Sequence, residues 1–235
     1  MEKVPRHVGI IMDGNRRFAK KLMLKPWMGH EWGAKKLRSV LEWSKELGIK
    51  EVTFYAFSIQ NFNRPKHEFD YLMGVFCKEF DDLMKEENLA KLKEDSVRID
   101  FIGRLSKFPE KVYSRMLKLM ELTKEHDRYH IHFAMAYGGR EEVIDAVHKI
   151  AEQVKKGELD ISAINEETFA DNLYLNSEPD LVIRTGGERR TSNFLTWQST
   201  YSELIFLDKH WPELEKEDFI AAIQEYSQRE RRFGR

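Results

Sequence analysis

Residues 7–21, HVGIIMDGNRRFAKK, bring one carboxylate, a permissive turn and four cations to one point. Asp13 is the carboxylate, Gly14 and Asn15 make the turn, and Arg16, Arg17, Lys20 and Lys21 follow. Free N–H groups in such a turn, followed by basic side chains, suit a phosphate, and the adjoining carboxylate suits a Mg²⁺ held on that phosphate. Taken alone, the segment reads equally well as a surface turn with a solvated basic face. Two later stretches have the same make-up. Ser58-Ile59-Gln60-Asn61-Phe62-Asn63-Arg64-Pro65 follows an apolar run, and so does the segment from Arg184 through Arg190 and Thr191 to Ser192. Together they supply at least four arginines, with His30 as one further candidate and Asp13 as the carboxylate of the first turn. That exceeds what a monophosphate needs. It suits two diphosphates side by side, with arginine as the bidentate partner.

The elements that must position these residues follow from hydrophobic patterning. Val8-Gly9-Ile10-Ile11-Met12 is too short for a lone helix and rich in strand formers, and Asp13-Gly14-Asn15 ends it. Further strands are expected at 51–57, 97–102, 130–137, 180–183 and 204–207. Helical spacing predicts helices at 31–47 (stopped by Gly48), 67–86, 109–124, 140–155, 166–174 and 216–230. Residues 22–29, with Pro26 and Gly29, read as a loop. Strands and helices alternate, which argues an α/β fold with a largely parallel central sheet and helices on both faces. No linker-like stretch divides it, so residues 1–235 are expected to form one domain. In a parallel sheet the carboxyl ends of the strands share an edge, where ligands bind. The stripe Phe69, Leu72, Met73, Phe76, Phe80, Leu83 and Met84 is a candidate wall for a hydrophobic substrate tunnel, and plain core for most of its members. Period-two alternation puts Val52, Phe54, Ala56 and Ser58 on one face of the second strand, with Ala56 just below the mouth.

Composition sets bounds. A net charge of −1 leaves no global basic field for nucleic acid or an anionic membrane, so any anion site is a local concentration of Arg and Lys. The single cysteine, Cys77, permits no internal disulfide, lies on an apolar stripe, and reads as core. The first ten residues lack a signal-peptide pattern, and no apolar run approaches the roughly 20 residues that span a bilayer. A cytoplasmic protein without a transmembrane segment is the expectation. His126, His130 and His132 lack further ligand spacing and read as structural.

HVGIIMDGNRRFAKK, AFSIQNFNRP, YGGR, DLVIRTGGE, SNFLTWQ, YSEL and RERRFG occur in that order between residues 7 and 234. Together they resemble the cis-prenyltransferases of the undecaprenyl diphosphate synthase type. The resemblance implies repeated condensation of isopentenyl diphosphate onto an allylic diphosphate, giving Z double bonds and a long polyprenyl diphosphate. It implies Mg²⁺ as cofactor, with Asp13 as ligand and Glu203 as a second residue of the metal site. Gly14, Asn15, Arg16, Arg17, His30 and Arg64 match the hold on the allylic diphosphate, in a segment that includes Phe18. Ser58 and Asn61 match residues near the reacting carbons, with Ile59 and Gln60 between them, and Asn61 is the position often given a proton-transfer role. Asparagine is not a usual base, so its expected part is to orient a water or a diphosphate oxygen. Phe62 matches an aromatic that packs on substrate. Arg184, Arg190 and Ser192, with Thr191, match the isopentenyl diphosphate clamp. Arg232-Phe233-Gly234 matches an element that reaches the neighbouring subunit in the family's homodimers. The product is then delivered to a membrane, with a peripheral place there for the protein as one expectation.

Arg16 stands where many bacterial relatives have Gly, and Phe18 and Phe62 where they have Trp, which resembles the archaeal and eukaryotic branch. Gln60 takes a position often Glu. Pro26 falls where bacterial members have a phosphate-contacting Arg, and Lys25 is the nearest substitute. Geranylgeranyl diphosphate is the expected primer, with farnesyl diphosphate next. The rival readings are a non-catalytic partner subunit and a nucleic-acid binder using Arg229, Arg231, Arg232 and Arg235. Partner subunits typically lose the Asp-Gly-Asn segment and the clamp arginines, and Asp13, Arg17, Arg184 and Arg190 are all present. The interleaved Glu230 and the balanced charge argue against nucleic acid.

Overall fold

Six parallel strands form the centre of the protein, seen in a computed structural model that describes residues 3–229. They are β1 His7–Ile11, β2 Glu51–Ser58, β3 Val97–Ile102, β4 Tyr129–Tyr137, β5 Leu181–Arg184 and β6 Glu203–Phe206. Their spatial order is β3-β4-β2-β1-β5-β6, with every pairing parallel. From β1 the chain steps to β2, skips outward to the edge strand β3, comes back to insert β4 between β3 and β2, then crosses past β1 to place β5 and β6 on the other side. The carboxyl end of β1 is therefore the switch point, where an open parallel sheet leaves a crevice. Ile11 pairs with both Tyr55 and Arg184, so the segments after β1, β2 and β5 emerge side by side.

Among the described residues there are eight helices, seven between strands and one after β6: α1 Asn15–Lys21, α2 Gly29–Leu47, α3 Lys66–Leu83, α4 Glu86–Glu94, α5 Glu110–Thr123, α6 Gly139–Lys156, α7 Glu166–Asp171 and α8 Lys216–Gln228. One sheet face buries Val8, Ile10, Val52, Phe54 and Ile99 against residues such as Val40 of α2, Leu72 of α3, Met116 of α5 and Phe219 of α8. The other packs Ile11, Ala134 and Val182 against Tyr137, Leu175, Phe194 and Leu195. The two faces explain why these strands are apolar almost throughout rather than alternating.

Three local expectations change. The predicted helix over 67–86 ends at Leu83, and a separate α4 follows. No Gly or Pro marks that break; extended backbone at Lys85 and a hydrogen bond from the Asn88 amide to the Asp82 carbonyl hold it. The cations after the first turn sit on a helix, α1, and residues 26–28 add a short 3-10 turn. In β2 the strict alternation fails, because the register with β4 slips at Tyr55/Phe57 and again at Phe57/Ser58. Arg231, Arg232, Phe233, Gly234 and Arg235, with Glu230, lie outside the described residues, so the cross-subunit element falls there too.

Candidate active site

Asp13 sits where β1 meets α1. Its carbonyl accepts from Trp211 N–H at 2.9 Å and the Thr185 hydroxyl at 2.8 Å, which fixes the turn from below. Its Oδ1 accepts from the Gly14 N–H at 2.6 Å and pairs with Arg17 at 3.2 Å, while Oδ2 accepts from Arg184 Nη2 at 2.8 Å. Burial pushes this carboxyl up, but the Arg184 hydrogen bond, the Gly14 N–H and the Arg17 charge outweigh it and hold it below its ordinary value. Asp13 is therefore ionised at neutral pH. Gly14 has φ +102°, and a Cβ there would lie 2.7 Å from His210 Cβ, so only glycine makes this turn. Gly33 of α2 faces the Asn15 side chain so closely that a Cβ would collide with Asn15 Oδ1.

Arg184 ends β5 with only 4 % of its surface exposed. Besides Asp13 it donates to the Arg190 carbonyl at 2.5 Å and to Ser192 Oγ at 2.7 Å. The clamp segment and the first turn are thus tied through one guanidinium. Glu188 adds a second tie, lying 3.8 Å from Arg17 and 2.5 Å from Arg190. Ser192 takes left-handed backbone with φ 52°, a costly conformation for a non-glycine residue that recurs at binding sites.

Across the mouth, Arg64 and Arg16 converge on Glu68 of α3, at 2.6 and 3.5 Å. Glu68 is 2 % exposed, so a buried carboxylate aims both arginines. His30 is held neutral, with its pKa lowered to about 3 by burial and then by Arg64 and Arg16. It therefore adds no charge to the mouth, contrary to its expected place among the cations. Asn61 caps the short turn after β2: its Oδ1 accepts from the Ser58 N–H at 3.1 Å, which leaves its amide hydrogens to offer.

Two cavities meet here. A polar one of about 420 Å³ is lined by Met12, Asp13, Gly14, Asn15, Arg16, Arg17, Lys20, His30 and Arg64. An apolar one of about 250 Å³ runs between the sheet and helices α2 and α3, lined by residues such as Leu37, Leu41, Ala56, Leu72, Phe76 and Phe133. Met12, Asn15, His30 and Arg64 line both. Phe76, Phe80, Leu72 and Leu83 of the predicted stripe face this cavity, whereas Phe69, Met73 and Met84 pack in the core. The β2 irregularity brings Ala56 and Phe57 to the cavity together, and Val52 and Phe54 stay in the core beside it.

Other expected residues are placed elsewhere. Ile59, Gln60 and Phe62 line a separate surface depression with Asn63 and Lys107. Phe62 stacks into a cluster with Phe57, Phe69 and Phe108. Phe18 packs edge-on to Trp32 of α2, with ring centroids 5.8 Å apart. Lys25 lies over the Trp27 ring and is not among the residues that line the polar cavity. Glu203 opens β6 at the opposite end of the sheet and pairs with Arg229 at 2.7 Å. Within one chain it does not join Asp13, because three strand steps of about 3.3 Å separate it from the edge that carries the site. Cys77 is partly buried, packed against the core as expected. Glu68, Glu188, Thr185 and Trp211 were given no role from the sequence, although Thr185 and Glu188 stand inside DLVIRTGGE. For Glu68 the Arg64/Glu68 spacing of four offered a signal.

Such a molecule belongs to a definite class: a doubly wound α/β protein with a cationic mouth at its strand ends and an apolar cavity behind it. The chain belongs to the cis-prenyltransferase family; residues 11–234 match the family described as "Putative undecaprenyl diphosphate synthase". It is accordingly a transferase of prenyl groups. It is 49% identical over 235 residues to a tritrans,polycis-undecaprenyl-diphosphate synthase (geranylgeranyl-diphosphate specific) of Methanopyrus kandleri, covering 99% of this chain and 86% of that one. An isoprenyl transferase of Thermotoga maritima is 47% identical, covering 99% of this chain and 97% of the relative. Among solved structures, lavandulyl diphosphate synthase from Lavandula x intermedia, in complex with dimethylallyl diphosphate, superposes with a TM-score of 0.90 at 34% identity over the whole of both chains.

Proposed function

We propose that this protein condenses isopentenyl diphosphate repeatedly onto geranylgeranyl diphosphate, making a long Z-polyprenyl diphosphate. One observation carries the reading: a cationic mouth and an apolar cavity share four lining residues, so an amphiphile with a diphosphate head and a prenyl tail fits across the junction. The geranylgeranyl specificity in the names of the archaeal relatives supports the primer. The head occupies the space between Arg17, Arg16, Arg64 and the Gly14-Asn15 turn. As the allylic C–O bond breaks, negative charge develops on the departing diphosphate, and preorganised guanidinium groups stabilise it. The apolar wall keeps water from the allylic cation. Isopentenyl diphosphate lies against Arg184, Arg190, Thr191 and Ser192, its double bond attacks the allylic carbon, and one proton leaves. Asn61, with Oδ1 already engaged, donates through its amide and orients the diphosphate that receives the proton.

The residues present fit a Mg²⁺. Asp13 is an ionised hard-oxygen donor whose Oδ2 accepts one hydrogen bond here and keeps a lone pair. Among the described residues no group of three or more His, Cys, Asp or Glu side chains could hold a metal alone, so diphosphate oxygens would complete its shell. When bound there it would add positive charge to the leaving group. The protein acts as a homodimer with its product passed to a membrane, and among the described residues no helix is long and apolar enough to cross one. The non-catalytic subunit is the weaker reading, because Asp13, Arg17, Arg184 and Glu188 form one connected array.

The test is product analysis by mass spectrometry, with isopentenyl diphosphate and Mg²⁺ and with dimethylallyl, geranyl, farnesyl and geranylgeranyl diphosphates offered in parallel. Elongation of geranylgeranyl diphosphate in preference to the others is expected. Elongation of none of them would overturn the reading.

A further inference from the structure

Two charged residues line the apolar cavity well below its mouth: Arg38 of α2 and Glu79 of α3. Arg38 lies eight residues beyond His30, or about 12 Å along α2, and Glu79 eleven residues beyond Glu68, or about 16 Å along α3. Neither can touch a diphosphate held at the strand ends. Arg38 Nη2 donates to Glu79 Oε2 at 2.8 Å and to Asp82 Oδ2 at 2.6 Å. Asp82 is held in turn by Lys85 at 2.6 Å. The ion pairs therefore run from α2 to α3 across one side of the cavity. A second link joins the same helices nearer the mouth, where Tyr71 donates to Glu31 at 2.6 Å.

The cavity is small for the proposed chemistry. A cavity of about 150 Å³ accommodates one benzene ring, so about 250 Å³ is filled by a chain of roughly ten carbons. A geranylgeranyl tail already exceeds that, and each condensation adds five carbons. The sheet side is closed by paired strands and the mouth by the diphosphate. The gap between α2 and α3 is where the lining carries side chains that water can also solvate. Arg38, Glu79 and Asp82 are all partly exposed, so parting them exchanges each ion pair for water.

We infer that Arg38, bridged to Glu79 and Asp82, is the latch between α2 and α3 that sets how far the prenyl chain elongates, the chain passing sideways between the helices when the latch parts. Arg38 is a positioning and length-setting residue; it takes no part in the chemistry at the diphosphates. The inference rests on the proposed function, since it needs a growing apolar chain. Exposed pairs of this kind shift an open–closed balance by up to about fivefold each, which suits a wall that opens in every catalytic cycle.

A double-mutant cycle tests it. Arg38→Met removes the latch from α2, Glu79→Gln with Asp82→Asn removes it from α3, and the triple variant removes both. Product ladders are read by mass spectrometry beside the rate of the first condensation and a melting curve. Each side alone is expected to raise the ratio of longer to shorter products about fivefold, with the first condensation changed less than twofold. The triple variant should show the same shift as either side, because both remove one interaction. Ladders identical to wild type in variants that melt normally would overturn the latch, as would shifts that add up in the triple variant. If a variant melts early, the comparison is made at a temperature where it stays folded, and an unchanged ladder there is equally fatal. Failure of the wild-type protein to incorporate isopentenyl diphosphate would instead overturn the proposed function.

Discussion

The two ends of the sheet use the same residue types to opposite effect. At the amino end, His7, Glu51, Thr53 and His132 are buried together. His7 Nε2 meets Thr53 Oγ1 at 2.8 Å, His132 Nε2 meets Glu51 at 2.9 Å, and Ser177 donates to Glu51. These groups spend their hydrogen bonds on one another, with His132 Nδ1 left over. At the carboxyl end the side chains keep capacity in reserve. Of six buried side-chain atoms without a partner among the described residues, Asn15 Oδ1, His30 Nε2 and Arg184 Nε lie at the mouth, and His210 Nδ1 lies against Gly14. A closed polar cluster steadies a fold, whereas an open one awaits a ligand. Residue type alone does not separate the two; the bookkeeping of partners does.

If that contrast holds, breaking the mouth costs rate and breaking the amino end costs stability. The largest effect is expected at Asp13. Asp13→Ala should lower turnover by at least about 10³-fold, the scale for loss of a major charge stabiliser, and also lower the melting temperature, because buried Arg184 loses its carboxylate partner. Near-normal turnover in Mg²⁺ would remove Asp13 from the chemistry. Between the two ends lies Ala56, which lines the apolar cavity. Ala56→Leu should halt elongation early while sparing the first condensations, giving shorter products. An unchanged ladder with a lowered melting temperature, the signature of overpacking at about 1–3 kcal/mol, would make Ala56 a packing contact only.

The smallest effect is expected at the amino end, and only in acid. Burial lowers the His7 pKa from 6.5 to about 4, with His132 adding to the fall and Glu51 opposing it. Between those values the unfolded chain binds the proton and the folded one does not. Stability linked to His7 is therefore fully present above about pH 6.5 and lost as pH falls toward 4. Burial pushes Glu51 up, but the His132 hydrogen bond and the nearby His7 hold it at about 2, which adds a second loss from about 4.5 downward. His7→Asn should flatten the first decline in urea-unfolding curves and leave neutral-pH turnover within about twofold. An unaltered decline would assign the acid sensitivity elsewhere.

Much of the site was legible in the sequence because its anchors are local. An apolar run ending in Asp13-Gly14-Asn15 announces a strand and its turn, and the runs before Ser58 and Arg184 repeat the pattern. That three such ends share an edge follows from parallel strands, and the registers of Ile11 with Tyr55 and Arg184 place them together. What escaped depends on contacts distant in sequence. Glu188 matters because Arg17, 171 positions earlier, lies beside it, and Trp211 because its N–H reaches the Asp13 carbonyl. The slip in β2 leaves no mark in EVTFYAFS, so the alternation expected to run through to Ser58 fails after Tyr55. His30 looked like a cation because its type is read from the sequence and its burial is not.

The central claim is that the carboxyl end receives a diphosphate and the amino end does not. The most direct measurement is an NMR titration of the folded protein with inorganic pyrophosphate, following the histidine ring signals. His30 lies in the mouth beside Arg64 and Arg16, and its signal should move saturably with added pyrophosphate while those of His7 and His132 stay fixed. Movement of His7 and His132 with a stationary His30 would contradict the account.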